Sequence, residues 1–247
     1  MNSPDSTFSK SEALFKMPIL EKTSPDEPYF IRQFNPDLPQ DNNRVDIMHR
    51  HPFVSEYMDV TDNTPPDESQ NYDIATINND FLRHGPDRAD PVMLFAVANE
   101  KGEALGWVEY YKDPDHPLPE EIANTLDLPE NALVLQVSYE RMQNTGWPKA
   151  IQRLDKALFP KIIQEKYPGV AVSGVRQSLI KLHEMEQVIA KADGKPPREI
   201  IVYAFTEEKN VASEAVLRKN GFTLAEHTHE YDGVQNHVWH KVLGKDL

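Results

Sequence analysis

Three short runs constrain this chain more than any other feature: residues 92–99 (VMLFAVAN), 132–139 (ALVLQVSY) and 199–205 (EIIVYAF). Each is rich in apolar and β-branched residues and is flanked by turn-forming or Pro-rich sequence, the pattern of a buried strand. Between the second and third runs lie two stripes of apolar residues at spacings of three and four. Ile151, Leu154, Leu158 and Ile162 form one, in a helix that begins near Trp147 with Pro148 in its first turn and is kinked or split by Pro160. Val175, Leu179, Leu182, Met185 and Ile189 form the other, over residues 174–192, ended by Gly194, Pro196 and Pro197. Buried strands alternating with amphipathic helices place the chain in the α/β class.

The remaining sequence extends this pattern. Residues 29–34 make a short β-like run, followed by helix-compatible stretches at 41–57 and 68–83 with a break at Thr64, Pro65 and Pro66. After the 92–99 run, Asn99, Glu100, Lys101 and Gly102 supply turn chemistry and a second strand returns over 104–111. Residues 113–131 carry Pro114, Pro117, Pro119 and Pro129, with a short helix around 120–126, and read as an inserted loop. A helix over 211–220 stops at Gly221, and strands near 222–231 and 234–242 flank the strong hairpin pair Asp232-Gly233. Residues 1–28 are rich in Ser, Pro, Asp and Glu and read as an arm on a single domain spanning 29–247. The arm's apolar patch, Ala13 to Leu20, is a candidate contact for a homodimer.

Composition excludes several functions. The 247 residues hold 26 Lys and Arg against 40 Asp and Glu, a net charge of −14, and no basic cluster suited to nucleic-acid phosphates. There is no Cys, so disulfides, thiolate nucleophiles and Cys-ligated metals are out. No apolar run is long enough for a membrane span or a signal h-region, so an intracellular, cytoplasmic location is expected, with no membrane partner. His227, His229, His237 and His240 fall on the last two strands, and a hairpin could gather three of them around a metal. Such pairs on exposed strands are more often not ligands, no helical H-E-x-x-H spacing accompanies them, and no metal is expected.

Two further segments carry chemistry. Asn210-Val211-Ala212-Ser213-Glu214-Ala215-Val216-Leu217-Arg218-Lys219-Asn220-Gly221-Phe222 opens a helix on a capping Asn and closes it on a glycine suited to a left-handed backbone. Gln143-Asn144-Thr145-Gly146-Trp147-Pro148 lies at the end of one buried strand and the start of a helix, where backbone N–H groups and the positive helix end can cradle a phosphate. By residue type alone, both segments also read as simple helix caps. Together with the element order from Tyr29, they resemble the GNAT superfamily of N-acetyltransferases: the first its Asn-x-Ala-Ser helix ending in Leu-x-Lys-x-Gly-Phe, the second its coenzyme A signature Q/R-x-x-G-x-G/A. Pro148 stands where the family has a small residue, and Leu217 where many members have a Tyr.

The resemblance implies a mixed, mostly antiparallel sheet of six to seven strands, helices on both faces and a splayed pair of parallel strands, here residues 133–139 and 200–205. It implies acetyl-CoA as co-substrate, with pantetheine against Val137, Ser138 and Tyr139, and the pyrophosphate at Gln143, Asn144, Thr145, Gly146, Trp147, Lys149 and Ala150. Asn210 and Ser213 would complete that site. The implied reaction is attack of a primary amine, on a small molecule or a peptide, upon the thioester in a ternary complex. Ser213 is the candidate acid, and Glu109 and Glu140 are candidate bases, each of which also reads as an ordinary solvated carboxylate. A silent acyl-CoA-binding module of the same fold is the alternative. The 113–131 insert reads as a substrate lid, a dimer contact or a plain surface excursion.

Overall fold

A computed structural model describes residues 20–34, 93–114, 116–141, 166–231 and 233–244. The expected helices at 41–57 and 68–83, the helix beginning near Trp147, the 143–150 turn and residues 13–19 of the arm's apolar patch lie outside these residues. The described elements, in chain order, are β1 (Phe30–Gln33), β2 (Met93–Ala98), β3 (Ala104–Tyr111), α1 (Glu120–Leu126), β4 (Leu133–Arg141), α2 (Val170–Asp193), β5 (Ile200–Glu207), α3 (Val211–Lys219), β6 (Thr223–Tyr231) and β7 (Val234–Leu243). The strands follow the sequence expectation to within a residue or two. The long helix begins at Val170, four residues ahead of the expected Gly174.

The strands form one seven-stranded sheet in the order β1-β2-β3-β4-β5-β7-β6. Every neighbouring pair is antiparallel except β4 and β5, which run parallel. Alternation along the strands divides the side chains between two faces. On one face Val108, Tyr110, Leu135, Val137, Val202 and Trp239 pack with Val175, Leu179 and Leu182 of α2 and Leu217 of α3. On the other, Ile201, Tyr203 and Val238 meet Leu118 and Ile122 from the 113–131 insert. Helices therefore cover both faces, and the insert closes over the second.

Close packing requires two glycines, Gly106 where β3 lies against β4 and Gly174 where α2 lies against the sheet. A Cβ at Gly106 would stand 2.5 Å from the backbone oxygen of Glu140 and 3.1 Å from Val170 Cγ1, and one at Gly174 would collide with Val97 Cγ2. The helix is fastened at both ends by bidentate ion pairs. Arg176 holds Glu27 through Nε and Nη2 at 2.6 and 2.8 Å, while Ser173 Oγ donates to the same carboxylate at 2.6 Å. Near the other end Arg198 grips Glu186 at 3.0 and 2.7 Å. Burial alone would raise the pKa of Glu27, but the hydrogen bonds from Arg176 and Ser173 outweigh it and leave the carboxyl below its usual range. Residues 20–28, the last part of the arm, are thereby tied to the domain, with Glu21 bridging Ile31 and Lys181.

The end of α3 is a Schellman turn. Gly221 takes φ +72°, its N–H donates to the Arg218 carbonyl and that of Phe222 to the Leu217 carbonyl, both at 3.1 Å. Leu217 and Phe222 then pack into the same core, the apolar contact that accompanies this turn. No described helix is long and apolar enough to cross a membrane.

Candidate functional site

The parallel ladder between β4 and β5 is short. It pairs Leu133 with Ile200, Val134 with Ile201, Leu135 with Val202 and Gln136 with Tyr203, and ends there. Beyond this rung β4 remains paired to β3 as far as Arg141, and β5 to β7 as far as Glu207. The two strands therefore part, and the β4 edge from Val137 to Arg141 has no strand partner on the β5 side among the described residues. Each strand is held by its antiparallel neighbour, so the fork is fixed in the sheet rather than frayed. Val137, Ser138 and Tyr139, singled out from the sequence, lie along its open edge.

Helix α3 follows β5 and lies over one face of the fork. Asn210 caps it, its side-chain oxygen accepting from the Ser213 N–H at 3.2 Å. Ser213 is met from across the gap by Tyr139, whose phenol stands 2.6 Å from Ser213 Oγ and donates to the Ser213 carbonyl at 3.0 Å. Burial pushes the Tyr139 pKa up, only partly offset by the hydrogen bond with Ser213, so the phenol keeps its proton. On the opposite flank Glu214 Oε1 is 2.6 Å from His237 Nδ1 on β7. Leu217, one turn further on, is fully buried in the core. The helix is thus anchored to β4, to β7 and to the core at once, which fixes the Ser213 hydroxyl in place.

The two carboxylates proposed from the sequence occupy the other face. Glu109 lies opposite Ser138 in the β3–β4 ladder, and Glu140 lies opposite Trp107. Because adjacent strand residues project to opposite faces, Tyr139 points towards α3 and Glu140 away from it. The structure thus brings Tyr139, Ser213 and Asn210 together and sets Glu109, Ser138 and Glu140 on the reverse side of the same strands. Gln143, Asn144, Thr145, Gly146, Trp147, Lys149 and Ala150 lie outside the described residues.

Three features escaped sequence reasoning. The Tyr139 phenol was expected only as a backbone partner, and its meeting with Ser213 links residues 74 positions apart. The Glu214–His237 pair has no local spacing to reveal it. Gln136, at the last rung of the parallel ladder, is 7% exposed, and its side-chain oxygen has no hydrogen-bond partner among the described residues. A polar residue inside an otherwise apolar strand run, ALVLQVSY, was the available signal. Among the described residues no group of three or more His, Asp or Glu side chains could hold a metal. His229 instead stacks on Phe205, with ring centroids 5.6 Å apart.

No protein-family model matches the sequence, and no curated protein matches it. Solved structures do resemble the fold. A structure of AAC(6')-Ib in complex with Parmomycin and acetyl-CoA shares 11% identity over 86% of this chain and 92% of its own, with a TM-score of 0.51. A structure of the aminoglycoside acetyltransferase AAC(6')-Ib with coenzyme A shares 11% identity over 86% of this chain and 94% of its own, with a TM-score of 0.50. The architecture, with its single parallel pair inside an antiparallel sheet, is the GNAT fold.

Proposed function

We propose that this protein is an N-acetyltransferase that moves an acetyl group from acetyl-coenzyme A to a primary amine in a ternary complex. The observation that carries the reading is the fork between β4 and β5 with the Tyr139–Ser213 pair bridging it. An open strand edge offers unpaired backbone N–H and C=O groups to an extended amide-bearing arm, as in other strand-addition sites. Val137, Ser138 and Tyr139 supply that edge, and by the sequence resemblance Gln143, Asn144, Thr145, Gly146, Trp147, Lys149 and Ala150 supply the phosphate-binding groups. The fold likeness to structures that hold acetyl-CoA or coenzyme A supports the same co-substrate here.

Acetyl-coenzyme A supplies an activated thioester whose carbonyl carbon an amine can attack. The chain's own residues then manage two protons. Glu140 or Glu109 takes the proton that the attacking nitrogen loses as the C–N bond forms. On the other side of the sheet, Ser213 Oγ passes a proton to the sulfur as the C–S bond breaks, the Tyr139 phenol hands its own proton on to Ser213, and the phenolate regains one from solvent once coenzyme A has left. Glu109 on β3 and Glu140 on β4 share one face of the sheet and Tyr139 projects to the other, so base and acid approach the fork from opposite sides. Tyr139 thereby takes the place of the tyrosine that many family members carry at the position of Leu217, whose buried side chain cannot reach the fork. Asn210, Ala212 and Ser213 fit the Asn-x-Ala-Ser subgroup. The charge of −14 favours a cationic acceptor, and an aminoglycoside belongs in the first panel because the resembling enzyme is named for one.

Two measurements test this. Acetyl-CoA at a hundredfold excess over its Kd adds about 2.7 kcal/mol of stability, a rise in Tm of roughly 5 to 10 °C for a chain of this size. Thiol release from acetyl-CoA is then followed across monoamines, diamines, amino alcohols, an aminoglycoside and short peptides. A saturable shift with amine-dependent thiol release is expected. A shift without release from any amine would point instead to a silent acyl-CoA-binding module, and no shift at millimolar ligand would reject the coenzyme altogether.

A further inference from the structure

At the closed end of the fork, one row of side chains crosses the sheet on the face turned away from α3. Tyr111 on β3 pairs with Gln136 on β4, Gln136 with Tyr203 on β5, and Tyr203 with His240 on β7. Glu109 stands on this face as well, diagonal to Gln136 at roughly 7–8 Å between Cα atoms. Tyr203 is committed to the insert, its phenol donating to the His116 carbonyl at 2.9 Å. Its two neighbours are not. Gln136 Oε1 and His240 Nδ1 are sealed from solvent and have no hydrogen-bond partner among the described residues. Gln136 is more than nine-tenths buried, and no other carboxamide in the sheet is left so.

A buried carboxamide oxygen without a donor is unfavourable, and its retention calls for an explanation. A leucine or methionine would fill the same place in this apolar strand at no such cost. What distinguishes Gln136 is location: it closes the fork at the rung where β4 and β5 begin to part, on the face that carries both candidate bases. Of the two, Glu109 is near enough to share an acceptor of two or three carbons with Gln136, since Glu140 lies four residues, roughly 13 Å, further along β4. We infer that Gln136 is a specificity-determining residue whose side-chain oxygen accepts a hydrogen bond from a second N–H or O–H of the acceptor, so that the substrate class is amines carrying a further donor, such as amino alcohols, diamines and amino sugars. His240 extends the same floor two strands away, roughly 10 Å on. Its burial lowers its pKa and favours the neutral ring, which carries one acceptor nitrogen.

This inference rests on the acetyl-transfer reading, and the test separates the two. The full-length protein is assayed by thiol release with matched amines, ethanolamine against propylamine and 1,3-diaminopropane against butylamine. Wild type is expected to favour the donor-bearing member at least about fivefold in kcat/KM, the equivalent of one hydrogen bond. In Gln136→Met the preference collapses through KM, while kcat on the plain amine and the Kd for acetyl-CoA hold and Tm is unchanged or higher. In Gln136→Glu the preference persists and moves towards the diamine. Turnover without a donor preference in wild type, or a preference that survives in Gln136→Met, overturns the role of Gln136 and leaves acetyl transfer standing. A fall in Tm with equal loss on both members of each pair reveals a structural residue and also overturns it. Should Gln136→Met fail to fold, the wild-type preference and the Gln136→Glu shift decide. No turnover with any amine rejects both readings.

Discussion

The phenol of Tyr139 and the hydroxyl of Ser213 stand 2.6 Å apart across the gap where β4 and β5 separate. One belongs to a strand and the other to the first turn of the helix after the next strand, and neither can shift independently. Two hydroxyls in line at an open strand edge form a relay that can deliver a proton to a leaving group. Tyr139→Phe and Ser213→Ala should each lower kcat about 10²-fold, the low end for a general acid, with little change in acetyl-CoA binding. Because the two act as one unit, the double variant should lose little more than either single one. Additive losses in steady-state kinetics would show that they act separately.

The pH dependence of turnover follows from the same pair. Burial raises the Tyr139 pKa above that of an ordinary phenol, so its proton is present at every pH below about 10. An acid of raised pKa does not limit the alkaline side. A profile of kcat should therefore rise through the pKa of the base and stay level to pH 9.5. Glu109→Gln and Glu140→Gln tell which carboxylate sets the rising limb, since only the true base removes it. A profile that falls between pH 8 and 9.5 would exclude Tyr139 as the donor.

Leu217 is a core residue rather than a displaced catalytic one. It is fully buried, packs with the main core and accepts the Phe222 N–H at its carbonyl in the turn that ends α3. Leu217→Ala should cost about 2–5 kcal/mol in chemical denaturation. Leu217→Tyr should not raise turnover, because the added hydroxyl would enter the core and not the fork.

Acid sensitivity should depend on Glu27. Its folded-state pKa is depressed, so its contribution is complete above the unfolded value near 4.5 and is lost as pH falls through the folded value. Thermal melts of wild type between pH 6 and 3 should show a steeper decline in Tm than those of Glu27→Gln, which lacks the titrating group. Glu186, held by Arg198 in the same way, contributes a second such loss. Equal slopes in the two proteins would show that the Glu27–Arg176 pair adds nothing.

Local patterns in the chain place the described strands to within a residue or two and mark both ends of α3, while α2 begins at Val170, four residues ahead of its expected start. Apolar and β-branched runs at 92–99, 132–139 and 199–205 read as buried strands, Asn210 could cap a helix with its own side chain, and Gly221 could end one because glycine takes φ near +72° at no steric cost. These are rules that act over a few residues, and they reached as far as the splayed strands, since a strand–helix–strand order resembling a known superfamily carries its topology with it. The tertiary structure alone decided which side chains meet. Tyr139 finds Ser213, Glu214 finds His237, and Gln136 is sealed at the last rung of the fork, each through the register in which the strands pair. A slip of one residue in β4 would turn Tyr139 to the far face and bring Ser138 or Glu140 under α3. Register is set by the sum of packing on both faces of the sheet, and no local spacing in the chain encodes that sum.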